Sequence, residues 1–362
     1  MKFASCDLLT WVKWAWHAGE LGSSRECWKT LKTRWKTMTI SLARLMGSAG
    51  CAAVTVLLAT MANASSLAWV KITPAQSPSA RAGFAMAYDP VSRKIVLFGG
   101  SNATNYFGDT WTFDGTTWTR EITQVSPSPR ASAMLAYDVP TRKLVLFGGF
   151  NDPDFLGDTW LWDGATSTWT QANPRSGPGP LAGAILFTDP KVGHAGLFGG
   201  RDPMIFHADT WRWNGVDWQV LQPTARPSSR GWAAAGVDLA RKNVVMSGGT
   251  SEMNTEDTWT WDGTNWTQEF PATQMPYVFY TSCAFDPLLR QLIVFGGDEV
   301  SGAENASWAW TGENWVQLQP LQSPPARDSM GMAYDFSNHE QIMFGGVGLK
   351  GLYNDTWKLI TR

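Results

Sequence analysis

From residue 65 to the C-terminus the apolar positions come in short bursts, and none repeats at helical spacing. One kind of burst is small and alternating, as in RAGFAMAYD (Arg81 to Asp89). Another is continuous and β-rich, as in KIVLFGG (Lys94 to Gly100). A third, DTWTFDG from Asp109, sets aromatics at i and i+2, on one face of a strand. The fourth is TWTREI from Thr117. Asp-Pro follows the first burst and Asp-Gly the third, both turn signals. The pattern predicts a unit of four short strands joined by tight turns.

That unit recurs. Gly-Gly doublets begin at Gly99, Gly148, Gly199, Gly248, Gly296 and Gly345, and an Asp stands ten residues before each, from Asp89 to Asp335. Five doublets are followed by Asp-Thr-Trp, ending at Trp111, Trp160, Trp211, Trp259 and Trp357; the exception keeps only Trp308. A four-stranded unit cannot bury both faces alone, so the units must stack. Repeats of this length with Gly-Gly and spaced aromatics resemble kelch repeats, over residues 68–362, and the resemblance implies blades of a β-propeller. The last unit stops at DTWKLITR with three strands. LAWVKI (Leu67 to Ile72), with Trp69 in the place of Trp118, supplies the missing fourth. The expected fold is all-β: a six-bladed kelch-type β-propeller over residues 65–362, its ring closed by an N-terminal strand that completes the last blade. In blade one FDGTTW brings Phe113 closer to Trp118 than WDGATSTW brings Trp162 to Trp169, so a tighter outer hairpin is expected there.

Of 22 tryptophans, 17 lie in the propeller at recurring strand positions, which makes them core between blades before they are platforms for a sugar. First strands are rich in Ala, Gly and Ser, as convergence on an axis requires.

Residues 1–64 differ in kind. Charged residues stop at Arg44 and resume at Lys71, and the apolar stretch between follows a basic region and ends in Ala62-Asn63-Ala64. This reads as a secretory leader cut after Ala64, with residues 1–37 a mis-assigned upstream extension. Export to the periplasm or beyond follows, with no stable membrane insertion once the leader is removed. Cys283 is then the one cysteine left, an inert thiol without a disulfide partner. Removal of the leader takes Lys and Arg from 29 to 21 and acidic residues from 31 to 28, a net charge of −7. A basic footprint for nucleic acid is therefore missing.

One face of the propeller repeats its turns (DPVSRK, DVPTRK), whereas the loops after Gly-Gly keep their length and vary in content. Fixed framework with variable tips is how scaffolds carry binding sites. Those loops hold eight acidic residues, including Asp202, Glu252 and Glu299, against Arg201 and Lys350. Eight residues before the repeat Asp stand Arg81, Arg130, Arg230 and Arg327, replaced by Leu181 and Val278 in blades three and five. An arginine ring at the channel mouth would suit an anionic ligand, oriented by an apolar sector with Tyr277 and Tyr280. Its repetition instead favours arginines that hydrogen-bond backbone carbonyls between blades. Some kelch propellers are copper oxidases or sialic-acid epimerases. Of the three propeller histidines, His194 and His339 fall in turns on the repeating face and His207 in a loop after Gly-Gly. That argues against a copper site, and neither a metal nor another cofactor is expected. The reading is a non-catalytic, monomeric binding module for a protein or glycan, acting through the Gly-Gly loop face. The alternative is a sugar-acid epimerase or mutarotase.

Overall fold

The computed structural model describes residues 67–251, 255–299 and 302–361. The expected leader and Glu252 lie outside the described residues. The described chain forms six four-stranded antiparallel sheets and two small hairpins in the loops of blades five and six, with no helix. Within a blade the strands run outward in sequence order, as in Ala85–Asp89, Lys94–Phe98, Thr110–Phe113 and Trp118–Glu121 of blade one. The six first strands, each against those of both neighbours, line the axis.

The sixth blade contains Gly331–Asp335, Glu340–Phe344 and Thr356–Thr361, and its outer strand is Leu67–Ile72, with Trp69 opposite Leu359. The ring therefore closes as the sequence predicts, leaving no open sheet edge between blades one and six. The two hairpin lengths also behave as expected. Phe113 pairs Trp118 directly, while the longer turn adds an Asp163–Thr168 pair beneath Trp162 and Trp169.

Three circuits of hydrogen bonds join the blades. Each outer-strand indole donates to a hydroxyl of the preceding blade: Trp118 to Thr356, Trp169 to Thr110, Trp218 to Thr159, Trp266 to Thr210, Trp315 to Thr258 and Trp69 to Ser307. The acceptor is the Thr of Asp-Thr-Trp, or its Ser substitute, so the motif's middle residue is an inter-blade contact. All six donor indoles are buried. In a second circuit the second Gly of each doublet donates to the carbonyl of residue 81, 130, 181, 230, 278 or 327 in the next blade. A Cβ on Gly148 would lie 2.3 Å from the Leu181 carbonyl oxygen, and its φ of 66° already favours glycine. The doublet is there so that two blades can approach at backbone distance.

The third circuit encircles the axis. Gly83, Ser132, Gly183, Trp232, Tyr280 and Ser329, each six residues before the repeat Asp, adopt left-handed φ of 53–65°. The N–H of each donates to the carbonyl of its counterpart in the preceding blade, at 2.7–3.1 Å, and Gly83 to Ser329 completes the ring. The repeat aspartates are buried and cap the first-to-second turns, as Asp89 does by accepting from the Val91 and Ser92 N–H groups.

Candidate functional site

The structure corrects the expected place of Arg81, Arg130, Arg230 and Arg327. They are 0–1% exposed and belong to the interior. In Arg130 the Nε–H donates to the Ser128 carbonyl, Nη1 to the Gly148 carbonyl and Asp158, and Nη2 to Ser128 Oγ and Asp158. All five guanidinium donors are used, so none is left for a ligand. Arg81 and Arg230 repeat this arrangement with Asp109 and Asp257, and Arg327 pairs with Asp355. The carboxylate is the Asp of Asp-Thr-Trp, which also accepts the indole N–H of Trp111, Trp160, Trp259 or Trp357 two residues on. Burial alone would raise these carboxyls. The arginine's hydrogen bonds and charge, with the indole donor, outweigh it and hold all four below the ordinary aspartate range.

Blade five lacks both members of the pair, having Val278 and Ala306, so no charge is stranded. Blade three has Leu181, and its Asp209 stands nearly half exposed, 3.5 Å from Arg226. Leu181 and Val278 are buried in inter-blade core clusters and form no apolar sector at the surface.

Tyr277 and Tyr280, in contrast, are brought together at the Gly-Gly loop mouth. Five rings run in a chain, Phe206 to Trp232 to Tyr280 to Phe279 to Tyr277, with neighbouring centroids 5.0–6.2 Å apart. Trp232 lies across the axis over Gly183, where a Cβ would meet its ring at 2.2 Å, and its Nε1–H reaches Ser132 Oγ at 3.4 Å. Ladder bonds hold Phe279 beside Asp298 and Asp328 beside Val347. Burial raises the Asp328 carboxyl, and nearby Asp298 adds to the shift. Tyr280 is raised by burial and then by Asp328. Glu299 is raised by burial and by Glu304. Arg201 stacks on Phe206 at 5.6 Å. Asp202 is occupied within its own loop: the Ile205 N–H, His207 and the Met204 N–H hold it at about 2.

The channel has two chambers. The upper one, about 130 Å³, lies at the aromatic mouth and is lined by the circuit residues, including Ser132, Trp232, Tyr280 and Ser329, with no arginine. The lower one, about 490 Å³, opens on the opposite face, that of the first-to-second turns. Met86, Leu135, Leu186 and Met332 border both and mark the boundary between them. Cys283 borders the lower chamber, and burial pushes its thiol up to about 12, consistent with an inert group. Sequence comparison between blades did not reveal the larger chamber, because the turns around its mouth look like plain framework. Among the described residues no cluster of His, Cys, Asp or Glu has metal-site geometry, and no helix is long and apolar enough to cross a membrane.

Fold and repeat together define a kelch-type β-propeller. The KLHDC2/KLHL20/DRC7 Kelch-repeats domain matches residues 46–228, and the chain belongs to this kelch-repeat family. No curated protein matches the chain.

Proposed function

We propose that the propeller is a non-catalytic interaction module, exported after removal of the leader, that binds a protein segment on the Gly-Gly loop face. The observation that carries this reading is the half-buried chain of rings from Phe206 to Tyr277 at the upper mouth. Large aromatics held rigidly at a surface are the residues that dominate protein interfaces, and kelch propellers commonly serve as interaction modules. The charge beside them is mostly acidic, from Asp298, Glu299, Glu304 and Asp328. With four arginines neutralised in place, a basic segment fits this mouth better than the anionic ligand expected from sequence. The epimerase alternative needs a carboxylate and an arginine converging on one ligand atom. The upper chamber has no arginine in its wall, so no observation favours that alternative.

The test is a peptide-display screen alongside a glycan array, using the chain from residue 65 onward. Enrichment of Lys- and Arg-containing peptides is expected, with binding to the folded protein weakened at least tenfold by Trp232→Ala or Tyr280→Ala, each variant still melting in one cooperative transition. Selective capture of glycans, or peptide binding indifferent to both variants, would remove this reading.

A further inference from the structure

The lower chamber has a rim that the interaction reading does not use. The residue after each repeat Asp is Pro90, Val139, Pro190, Leu239, Pro287 or Phe336, apolar in all six blades. Val139, Leu239 and Phe336 are 51%, 49% and 42% exposed. All of these except Pro287 border the chamber. Water-facing apolar side chains scattered singly need no explanation, but a ring of them around one opening marks a surface that is covered in use. The ring also continues inward. Behind it the walls are Ala87, Ala136, Phe187, Val237, Phe285 and Ala333, as far as the Met86–Met332 boundary.

Most polar groups at this end are satisfied from within, the buried Tyr334 hydroxyl being the exception. Tyr88 Oη is 2.9 Å from Ser337 Oγ, and Thr188 Oγ1 donates to the Tyr137 carbonyl. Asp189, which borders the chamber, accepts from Arg212 and from the Lys191 and Val192 N–H groups. Lys242 stands at the rim with its side chain exposed to solvent, while the Asp189 charge is taken up by Arg212. The opening therefore offers mainly apolar contact, and among the described residues its one unpaired charge, Lys242, stands at the solvent-exposed rim. Its volume of about 490 Å³ falls within the range of about 300–1,000 Å³ typical of small-molecule sites, which are likewise mostly apolar.

From this geometry we infer a second binding site: the lower chamber takes a neutral, predominantly apolar small molecule, admitted through the ring of Pro90, Val139, Pro190, Leu239 and Phe336. The ligand differs from the partner at the upper mouth in both chemistry and face, so the two sites can be occupied independently.

The naphthalene ketone dye 6-propionyl-2-(dimethylamino)naphthalene is neutral, fits the volume, and shifts its emission to the blue in apolar surroundings. Titrated into the chain from residue 65 onward, it is expected to bind saturably at one site per chain with blue-shifted emission. Leu239→Glu and Val139→Glu place a carboxylate at rim positions that are about half exposed and belong to no aromatic pair. Each is expected to weaken the dye at least tenfold with unchanged melting. Trp232→Ala, on the other face, is expected to leave dye binding alone. Non-saturable uptake, or saturable uptake indifferent to both rim variants, would overturn the proposal. So would saturable binding of the anionic dye 1-anilinonaphthalene-8-sulfonate in the absence of binding by the neutral one, because that result reassigns the ligand class.

Discussion

At the scale of single residues, the Asp-Thr-Trp motif is three contacts in a row. Its Asp neutralises a buried arginine, its Thr receives the next blade's indole, and its Trp donates back to its own Asp. The arginine pairs are unequal in exposure. Arg130's side chain is 0% exposed and Asp158's is 25% exposed, so losing the Asp strands the more deeply buried charge. Asp158→Ala is therefore expected to cost about 3–5 kcal/mol, the range for breaking a buried pair, and Arg130→Val less. The double variant Arg130→Val/Asp158→Ala, which copies Val278 and Ala306 of blade five, should recover much of the loss of Asp158→Ala. Denaturant unfolding of the three variants checks this; additive losses would mean that the pair is not the unit. The sequence carried a trace of the pairing, since blade five drops both members together. Blade three blurs it by keeping Asp209 without the arginine, and turning that carboxylate outward is something a sequence does not display. Repetition identified the arginines and pointed to ties with backbone carbonyls, as at Gly148, but not to the carboxylates that neutralise them.

At the scale of elements, strand order, blade boundaries and ring closure were legible because period and turn chemistry repeat six times. The axial circuit was not. Its position holds Gly or Ser in four blades but Trp232 and Tyr280 in the other two, and a left-handed φ on tryptophan has no signature in composition. The closing strand is the element whose loss should matter most. Trp69 is 0% exposed, packs against Phe295 at 5.5 Å and donates to Ser307. Trp69→Ala is expected to cost about 3–5 kcal/mol, and deletion of residues 65–72 to lower the melting of the entire ring in one transition. A deletion variant with unchanged thermal unfolding, or one that loses only blade six in a separate step, would contradict closure by this strand.

For the molecule as a whole, four equivalent carboxylates contribute together to its response to acid. Asp109, Asp158, Asp257 and Asp355 are all lowered from 3.8 in the folded state. A lowered folded value means stability that is fully present above the unfolded pKa and is lost as pH falls through the folded values. These pairs should therefore contribute evenly from neutrality down to about pH 4, and their contribution should decline together below that. Near-ultraviolet circular dichroism followed by acid titration reads this directly, because the reporting tryptophans sit against the same carboxylates. Arg130→Val/Asp158→Ala should flatten part of the acid limb, and an identical limb in that variant would refute the assignment.

The direction of the circuits has a consequence for assembly. Every blade presents indole donors on one flank and the matching hydroxyl acceptors on the other, so neighbours meet head to tail, the relation that produces rings when the rotation closes. Here the rotation closes within one chain. Cut between blades three and four, the molecule would yield two halves whose exposed flanks are complementary, each lacking what the other holds. Coexpressed halves have a structural route back to the complete ring, whereas a half on its own can find closure only by pairing with its own copy.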